Sequence, residues 1–225
     1  MKRIFDLAVS FFALLVLSPL LVPLTLMLRI TGEGEIFYMQ PRVGLNGELF
    51  NIFKFATMLK NSPNIGSGTL TMRNDARVLP IGVFLRKTKI NELPQLLNIL
   101  FGHMSIVGPR PLVPSGEANY TTSQAIIIRS VRPGVTGIGS LMLRDEESFY
   151  AHRSDAHDFY RNEISPYKAS LEIWYVENQS FQLDLQNVVL TAVGILFPNL
   201  RVEKRFLLCQ RCQFPFQIQS FKVFR

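Results

Sequence analysis

The chain has 225 residues, a formal net charge of +7 and a sequence pI of about 9.6. That length suits one compact domain with an attachment, and the charge calls for an anionic partner: nucleic acid, anionic lipid headgroups or a phosphorylated substrate. Only two cysteines are present, Cys209 and Cys212, which excludes a disulfide framework and falls short of the four ligands of a structural zinc site. The working part is therefore expected in the cytoplasm, with these thiols idle.

In chain order, a charged lead ending at Asp6 opens the sequence, and Leu7 to Leu28 follows without a charge, 22 residues in all. As a helix this run is roughly 33 Å long, about one hydrocarbon thickness. A signal peptide would have a shorter apolar run and a small-residue cleavage site after it. A plain spanning helix would put Lys2 and Arg3 across the membrane from Arg29, whereas basic residues flank both ends. Ser18 and Pro19 sit midway, where Pro19 removes a donor and Ser18 can satisfy the carbonyl it frees. A kinked helix that enters and leaves by one face and a merely bent spanning helix both fit the residues alone.

Ile36–Gln40 and Leu49–Phe55 read as strands around Asn46-Gly47, a strong hairpin signal. Lys54 interrupts the second strand, either as a solvated edge lysine or as a partner for phosphate or carboxylate. Asn61–Asp75, rich in Asn, Ser, Gly and Thr, reads as a mobile loop. Amphipathic Arg77–Leu85 ends at Arg86-Lys87.

The most punctuated stretch is Lys87–Pro111, KTKINELPQLLNILFGHMSIVGPRP. Pro94 suits the first turn of a helix running to Leu100, with Asn91 as its N-cap and Glu92 near the positive end of its dipole. A carboxylate there stays ionised and can hold a divalent cation. Arg110, between two prolines, is a pre-set fork for phosphate oxygens. Beyond it, Leu112–Ile128 reads as helix, Arg132–Gly137 as a turn-rich loop, and Asp155–Gln179 as a helix interrupted near Ser165-Pro166. Ser180 reads as the N-cap of an apolar helix, Leu183–Leu196. The tail from residue 201 is basic and aromatic, of a kind that can lie on a membrane surface.

The motifs Glu92-Leu93-Pro94-Gln95-Leu96, Asn98, Met104-Ser105, Gly108-Pro109-Arg110-Pro111, Arg132-Pro133-Gly134 and Ser180-x-x-Leu183-Asp184-Leu185 resemble the bacterial sugar transferases, the monotopic phosphoglycosyl transferases that initiate surface-glycan assembly. The resemblance covers roughly Lys2 to Phe197. It implies an α/β, membrane-associated protein: a re-entrant helix over residues 1–31 with its break at Ser18-Pro19, and a cytoplasmic domain over 32–200 of helices with a short β-hairpin. Residues 201–225 form a tail without an assigned role. It implies transfer of sugar-1-phosphate from a nucleoside diphosphate sugar to a polyprenyl phosphate, at the cytoplasmic face of a bacterial inner membrane. Glu92 would ligate Mg2+, and Lys54, Arg86, Arg110, Arg132 and Arg144 would be the cationic clamps. Membrane lipid is a further partner, and a homodimer is compatible with the family.

Two positions depart from its pattern. The nucleophilic Asp is Asn91 here, and the Asp of Gly-Asp-Met-Ser is His103. Asn91 leaves three readings open: an inactive form, catalysis by Glu92 or direct attack by the lipid phosphate, and a non-catalytic membrane scaffold. His103 is a turn residue or a replacement acid or base. A nucleic-acid binder is the weaker rival, because the apolar run has no use there and the basic residues do not cluster with stacking aromatics.

Overall fold

The computed structural model describes residues 1–31, 33–65, 75–144, 146, 149, 153, 155–197 and 199–200. The tail with Cys209 and Cys212, and most of the loop expected at Asn61–Asp75, lie outside the described residues. The chain forms two compact units, one of Met1–Pro41 with Phe50–Met104 and one of Arg42–Leu49 with the chain from Ser105 onward.

The first unit begins with helix α1, Lys2–Ile30. Its helical assignment continues through Pro19 and Pro23. Pro19 leaves the Leu15 carbonyl without its usual donor, and the Ser18 hydroxyl donates to that carbonyl at 2.8 Å. Most of α1 is apolar and uncovered: Phe12 is 61% exposed and Val16 75%. Its length and composition are those of a membrane helix, and a signal sequence meets the same test. Both of its ends are fastened to the first unit. At the start, the Arg3 guanidinium donates to the carbonyls of Ile99 at 2.7 Å and Met104 at 3.3 Å. Near the other end, Leu28 is buried with Phe55 and Leu85, and Leu21, Leu24, Ile36, Ile81 and Ile90 pack against that cluster.

Strands β1, Phe37–Val43, and β2, Leu49–Phe55, form the expected antiparallel hairpin. Asn46 and Gly47 both adopt positive φ, 55° and 85°, as an Asn-Gly hairpin tip requires. Helix α2, Pro80–Lys87, starts on Pro80, whose fixed φ suits a first turn. A left-handed Lys89, φ 60°, then feeds a 3₁₀ turn over Ile90–Glu92 and helix α3, Gln95–Leu100. The expected N-cap role of Asn91 is not realised. Pro94 occupies the cap position without a side-chain bond, and Asn91 is turned inward, 7% exposed. The extra turn moves the helix cap by three residues, from Asn91 to Pro94.

The second unit contains a sheet that the sequence does not announce. Strands β3, Ser105–Val107, and β4, Gly134–Thr136, pair in parallel, with Ser105 opposite Gly134 and Val107 opposite Thr136. The Arg132–Gly137 segment, expected to be loop, is thus partly strand. A Cβ on Gly108 or Gly134 would run into the backbone of the other segment, so the ladder needs glycine at this crossing. The helix expected over Leu112–Ile128 is two helices: α4, Pro114–Glu117, and α5, Thr122–Arg129. Thr121 and Gln124 form a reciprocal capping box that restarts the chain as helix. After α6, Ile138–Met142, come α7, Ala156–Phe159, a π-helical turn over Tyr160–Ile164, and α8, Ser165–Glu177. The π turn absorbs Pro166, which has no N–H to give the preceding turn, so the expected interruption is a widened turn rather than a break. Helix α9, Phe181–Leu196, is capped by the Ser180 hydroxyl, which accepts from Leu183 N–H at 3.2 Å. Val107, Ile138, Leu141, Met142, Leu171, Trp174, Tyr175 and Leu183 lie in the core of this unit. The Tyr175 hydroxyl is held there by Asp184 at 2.6 Å and the Val107 carbonyl at 3.2 Å.

Candidate active site

In the first unit the structure brings Lys54, Asn91 and Glu92 to one place. Strand β2 is held against α3 by the buried carboxamide of Asn98, which accepts from Phe53 N–H at 2.9 Å and donates to the Asn51 carbonyl at 2.8 Å. Its own carbonyl accepts from His103 and Met104, so one residue fixes the strand, the helix and the turn beyond it. That register presents Lys54 to Glu92, with Nζ 2.9 Å from Oε1 and side chains 18% and 17% exposed. Lys54 is therefore a carboxylate partner in a sheltered, still solvent-touched position.

Next to Glu92, the Asn91 Oδ1 is buried and has no hydrogen-bond partner among the described residues. A buried carbonyl oxygen left unsatisfied costs about 1–3 kcal/mol, and such an atom marks a place where a ligand or ion can supply what the fold withholds. Arg86 is half-buried in the last turn of α2. His103 is exposed and stacked on Phe50 at 5.6 Å, in keeping with its reading as a turn residue.

The second unit holds the other predicted cations. The β3–β4 ladder sets the Gly-Pro-Arg-Pro turn beside Arg132-Pro133-Gly134: Gly134 N–H donates to the Pro109 carbonyl at 2.8 Å and Ser105 N–H to the Pro133 carbonyl at 2.9 Å. Arg110 is half-buried, and its guanidinium reaches the Ser140 hydroxyl at 3.3 Å. Arg132 is exposed. Arg144 is exposed too, and one of its nitrogens donates to the Gly194 carbonyl at 2.9 Å, closing the last turn of α9.

Sequence reasoning missed Glu172. It lies on α8, is 3% exposed, and its Oε1 accepts the backbone N–H of Arg110 at 3.1 Å. Burial pushes its carboxyl up to about 7, against the opposing pull of that bond and of the Lys168 and Arg110 charges. The signal was present: a carboxylate among Leu171, Ile173, Trp174 and Tyr175 has no place on a core helix without a specific partner. The ion pair of Glu117 with Arg129, linking α4 to α5, was also unforeseen.

Magnesium can be weighed against these residues. Among the described residues no group of three His, Cys, Asp or Glu side chains could hold a metal ion. Mg2+ needs fewer, since it keeps several waters and commonly binds one or two protein oxygens plus substrate phosphates. Glu92 offers one such oxygen, bound here to the Lys54 ammonium.

A family described as bacterial sugar transferase matches residues 1–198 of the chain. The undecaprenyl-phosphate glucose phosphotransferase of Komagataeibacter xylinus is 35% identical over 208 residues, covering 87% of this chain and 36% of the relative. The exopolysaccharide production protein ExoY of Sinorhizobium fredii is also 35% identical over 208 residues, covering 86% of this chain and 84% of the relative. The UDP-glucose:undecaprenyl-phosphate glucose-1-phosphate transferase of Klebsiella pneumoniae is 32% identical over 194 residues, 84% of this chain and 39% of the relative. The chain thus spans little more than a third of two of these proteins and most of the third. The family match takes in the re-entrant candidate, the Lys54–Glu92 pair, the Gly-Pro-Arg-Pro turn and the Ser180-capped helix, and the chain belongs to the bacterial sugar transferase family.

Proposed function

We propose that this chain transfers sugar-1-phosphate from a nucleoside diphosphate sugar to a membrane polyprenyl phosphate, the first step in building a surface polysaccharide or related glycan. The acceptor is carried by relatives whose names specify undecaprenyl phosphate, and the donor by one whose name specifies UDP-glucose. The observation that carries the reading in this chain is the Lys54–Glu92 pair beside the buried, unsatisfied Asn91.

The chemistry is displacement at phosphorus. A phosphate oxygen of the lipid attacks the phosphorus that bears the sugar, the bond to the bridging oxygen breaks, and nucleoside monophosphate leaves. Asn91 cannot form a covalent aspartyl intermediate, and in this reading the lipid phosphate attacks directly. In the first unit Lys54 supplies positive charge to phosphate oxygens once a phosphate competes for it, and in the second unit Arg110 and Arg132 are the cations offered to an anionic ligand. Glu92 would supply an oxygen to Mg2+, which when bound neutralises charge on the diphosphate.

We assign the site to the cytoplasmic face of a bacterial inner membrane, with α1 entering and leaving by that face. Supporting this, Arg3 and Leu28, near opposite ends of α1, are both fastened to the same unit. A helix with its two ends on opposite sides of a bilayer could not make both contacts. Positive charge at both ends, Lys2, Arg3 and Arg29, agrees.

A second reading, a non-catalytic scaffold that keeps the substrate site, is favoured by Asn91 itself. The test is nucleoside monophosphate release from UDP-glucose and other nucleotide sugars with polyprenyl phosphate and Mg2+. Release that needs Glu92 supports the enzyme. Binding of nucleotide sugar without release supports the scaffold, and no binding refutes both.

A further inference from the structure

Helix α8 carries two ionisable side chains into the core of the second unit, Lys168 and Glu172, 6% and 3% exposed. They are handled differently. Lys168 is paired with Glu146 at 2.6 Å and touches the Tyr160 hydroxyl at 3.3 Å. Glu172 has one oxygen on the Arg110 backbone N–H at 3.1 Å, while its Oε2 has no hydrogen-bond partner among the described residues. From α6, the backbone of Gly139 is pressed onto the carboxyl so closely that a Cβ there would collide with it.

The positive charges near Glu172, on Lys168 and Arg110, offset only part of the cost of burying a charge there. Arg110 approaches from the turn after β3, and Tyr120, from the chain between α4 and α5, has its phenol pushed up mainly by burial and next by the Glu172 carboxylate. Glu117 of α4 and Arg129 of α5 line the same pocket and are bound to each other. That pocket has about 20 Å³ of water-accessible volume. It can hold roughly one water, too few to solvate a carboxylate. An ionised Glu172 would therefore turn to Arg110 and draw down the charge of that cation.

We propose that Glu172 is a positioning residue that works as a neutral acid: with its proton on Oε2, it holds the Arg110 amide through Oε1, fixes the Gly108–Pro111 turn, and leaves the Arg110 guanidinium its full charge for the diphosphate of the donor. The proposal rests on the nucleotide-sugar reading above and adds a pH dependence to it. Burial holds the Glu172 carboxyl near 7, so the neutral form prevails below neutrality and is lost above it. Glu172 makes no contact with substrate and acts only through Arg110.

The test uses the full chain in lipid nanodiscs with UDP-glucose as the probe. Over pH 6–8 the donor's diphosphate does not change charge, so a change in affinity reports the protein. Affinity is expected to weaken roughly three- to tenfold from pH 6 to pH 8, the scale of one partly screened charge a few ångströms from Arg110. Glu172→Gln keeps a neutral acceptor and should hold the low-pH affinity at both pH values. Infrared spectra of the unbound protein give a second readout: a protonated carboxyl band that fades near neutral pH and is missing in Glu172→Gln. A purely structural role for Glu172 would produce neither signature. Binding that is independent of pH, a pH dependence that survives Glu172→Gln, or the absence of the carboxyl band overturns the role of Glu172 alone. Failure of UDP-glucose and other nucleotide sugars to bind at any pH, with the carboxyl band in place, overturns the donor reading instead.

Discussion

Glu92 keeps 17% of its side-chain surface in solvent and meets the Lys54 ammonium at 2.9 Å. Glu172 is 3% exposed, meets a backbone N–H with one oxygen, and leaves the other without a partner. The two centres give one side chain two characters. Beside Lys54 a glutamate is a carboxylate, able to share its charge with a cation or a metal. Inside the second unit, desolvation outweighs the nearby positive charges and the same group favours its neutral acid form. The difference between the two glutamates follows from solvent and counterion rather than from residue type.

The comparison breaks most widely at Asn91, the neighbour that leaves Glu92 the only carboxylate of its pair. Asn91→Asp is expected to raise turnover by two powers of ten or more, about 3 kcal/mol in barrier, by restoring a nucleophile for a covalent step. Nucleoside monophosphate release for the two forms measures it. In the Asn91 form, Glu92→Gln should abolish release if direct attack is the route. Unchanged release would remove Glu92 from the chemistry.

Next in size is the pH dependence of stability that Glu172 creates. Its carboxyl is raised in the folded chain from 4.5 to about 7. Below pH 4.5 it is neutral in both folded and unfolded states, and its contribution to stability is fully present. Between 4.5 and 7 the unfolded chain ionises first, so that contribution is lost as pH rises, and above 7 it stays lost. The total is on the order of 3 kcal/mol. Glu172→Gln should flatten this part of the stability profile, measured by denaturant unfolding at pH 5 and pH 8. Glu92→Gln should not. An equal effect of both substitutions would erase the distinction between the centres.

These two centres were not equally legible. The Asn46-Gly47 tip, the strands on either side of it and the Ser180 cap are local codes, written in backbone preferences that need no tertiary partner. Lys54 stood out as a charge in an apolar strand, although its partner could be found only once Asn98 had set the register. β3 and β4 were hidden because three residues are too few to show alternation, and a parallel pair brings together segments far apart in sequence. Asn91 was read as a cap because its type suits one. The 3₁₀ turn that buries it depends on Lys89 adopting a left-handed conformation, a choice that a lysine does not advertise. Glu172 stands out in the sequence as a carboxylate among apolar residues, but its partner, the Arg110 backbone N–H, leaves no trace in a side-chain pattern.

Asn98 sharpens the first centre by separating register from charge. Its buried side chain makes the two bonds to β2, so Asn98→Ala leaves the Phe53 N–H and the Asn51 carbonyl unpaired. The expected loss is about 2 kcal/mol in unfolding free energy. Donor affinity should fall with it, because Lys54 is aimed by the same strand. Asn98→Asp, which retains the acceptor for Phe53 but not the donor for Asn51, should lie between the parent and Ala. Stability that falls while Lys54-dependent affinity stays intact would show that the strand holds its register without this clamp.

The smallest effect concerns the end of α1. Arg3 places its guanidinium on the carbonyls of Ile99 and Met104, at the end of α3 nearest the turn to β3. Charge-assisted bonds to a helix C-terminus contribute about 1 kcal/mol when partly buried, so Arg3→Gln should weaken the first unit by that much and leave the second unit's Glu172 titration untouched. The substitution also probes topology. If α1 returns to the face it entered, Arg3 is one of two fastenings on the same side, the other being the Leu28 cluster. Single cysteines at position 2 and at position 31 should then both react with a membrane-impermeant thiol reagent added to inside-out vesicles, and neither should react in intact cells. Arg3→Gln should raise the reactivity at position 2 and leave position 31 as it was. Labelling of the two positions from opposite sides in the parent would mean that the helix spans the bilayer and that the Arg3 contacts do not persist in the membrane.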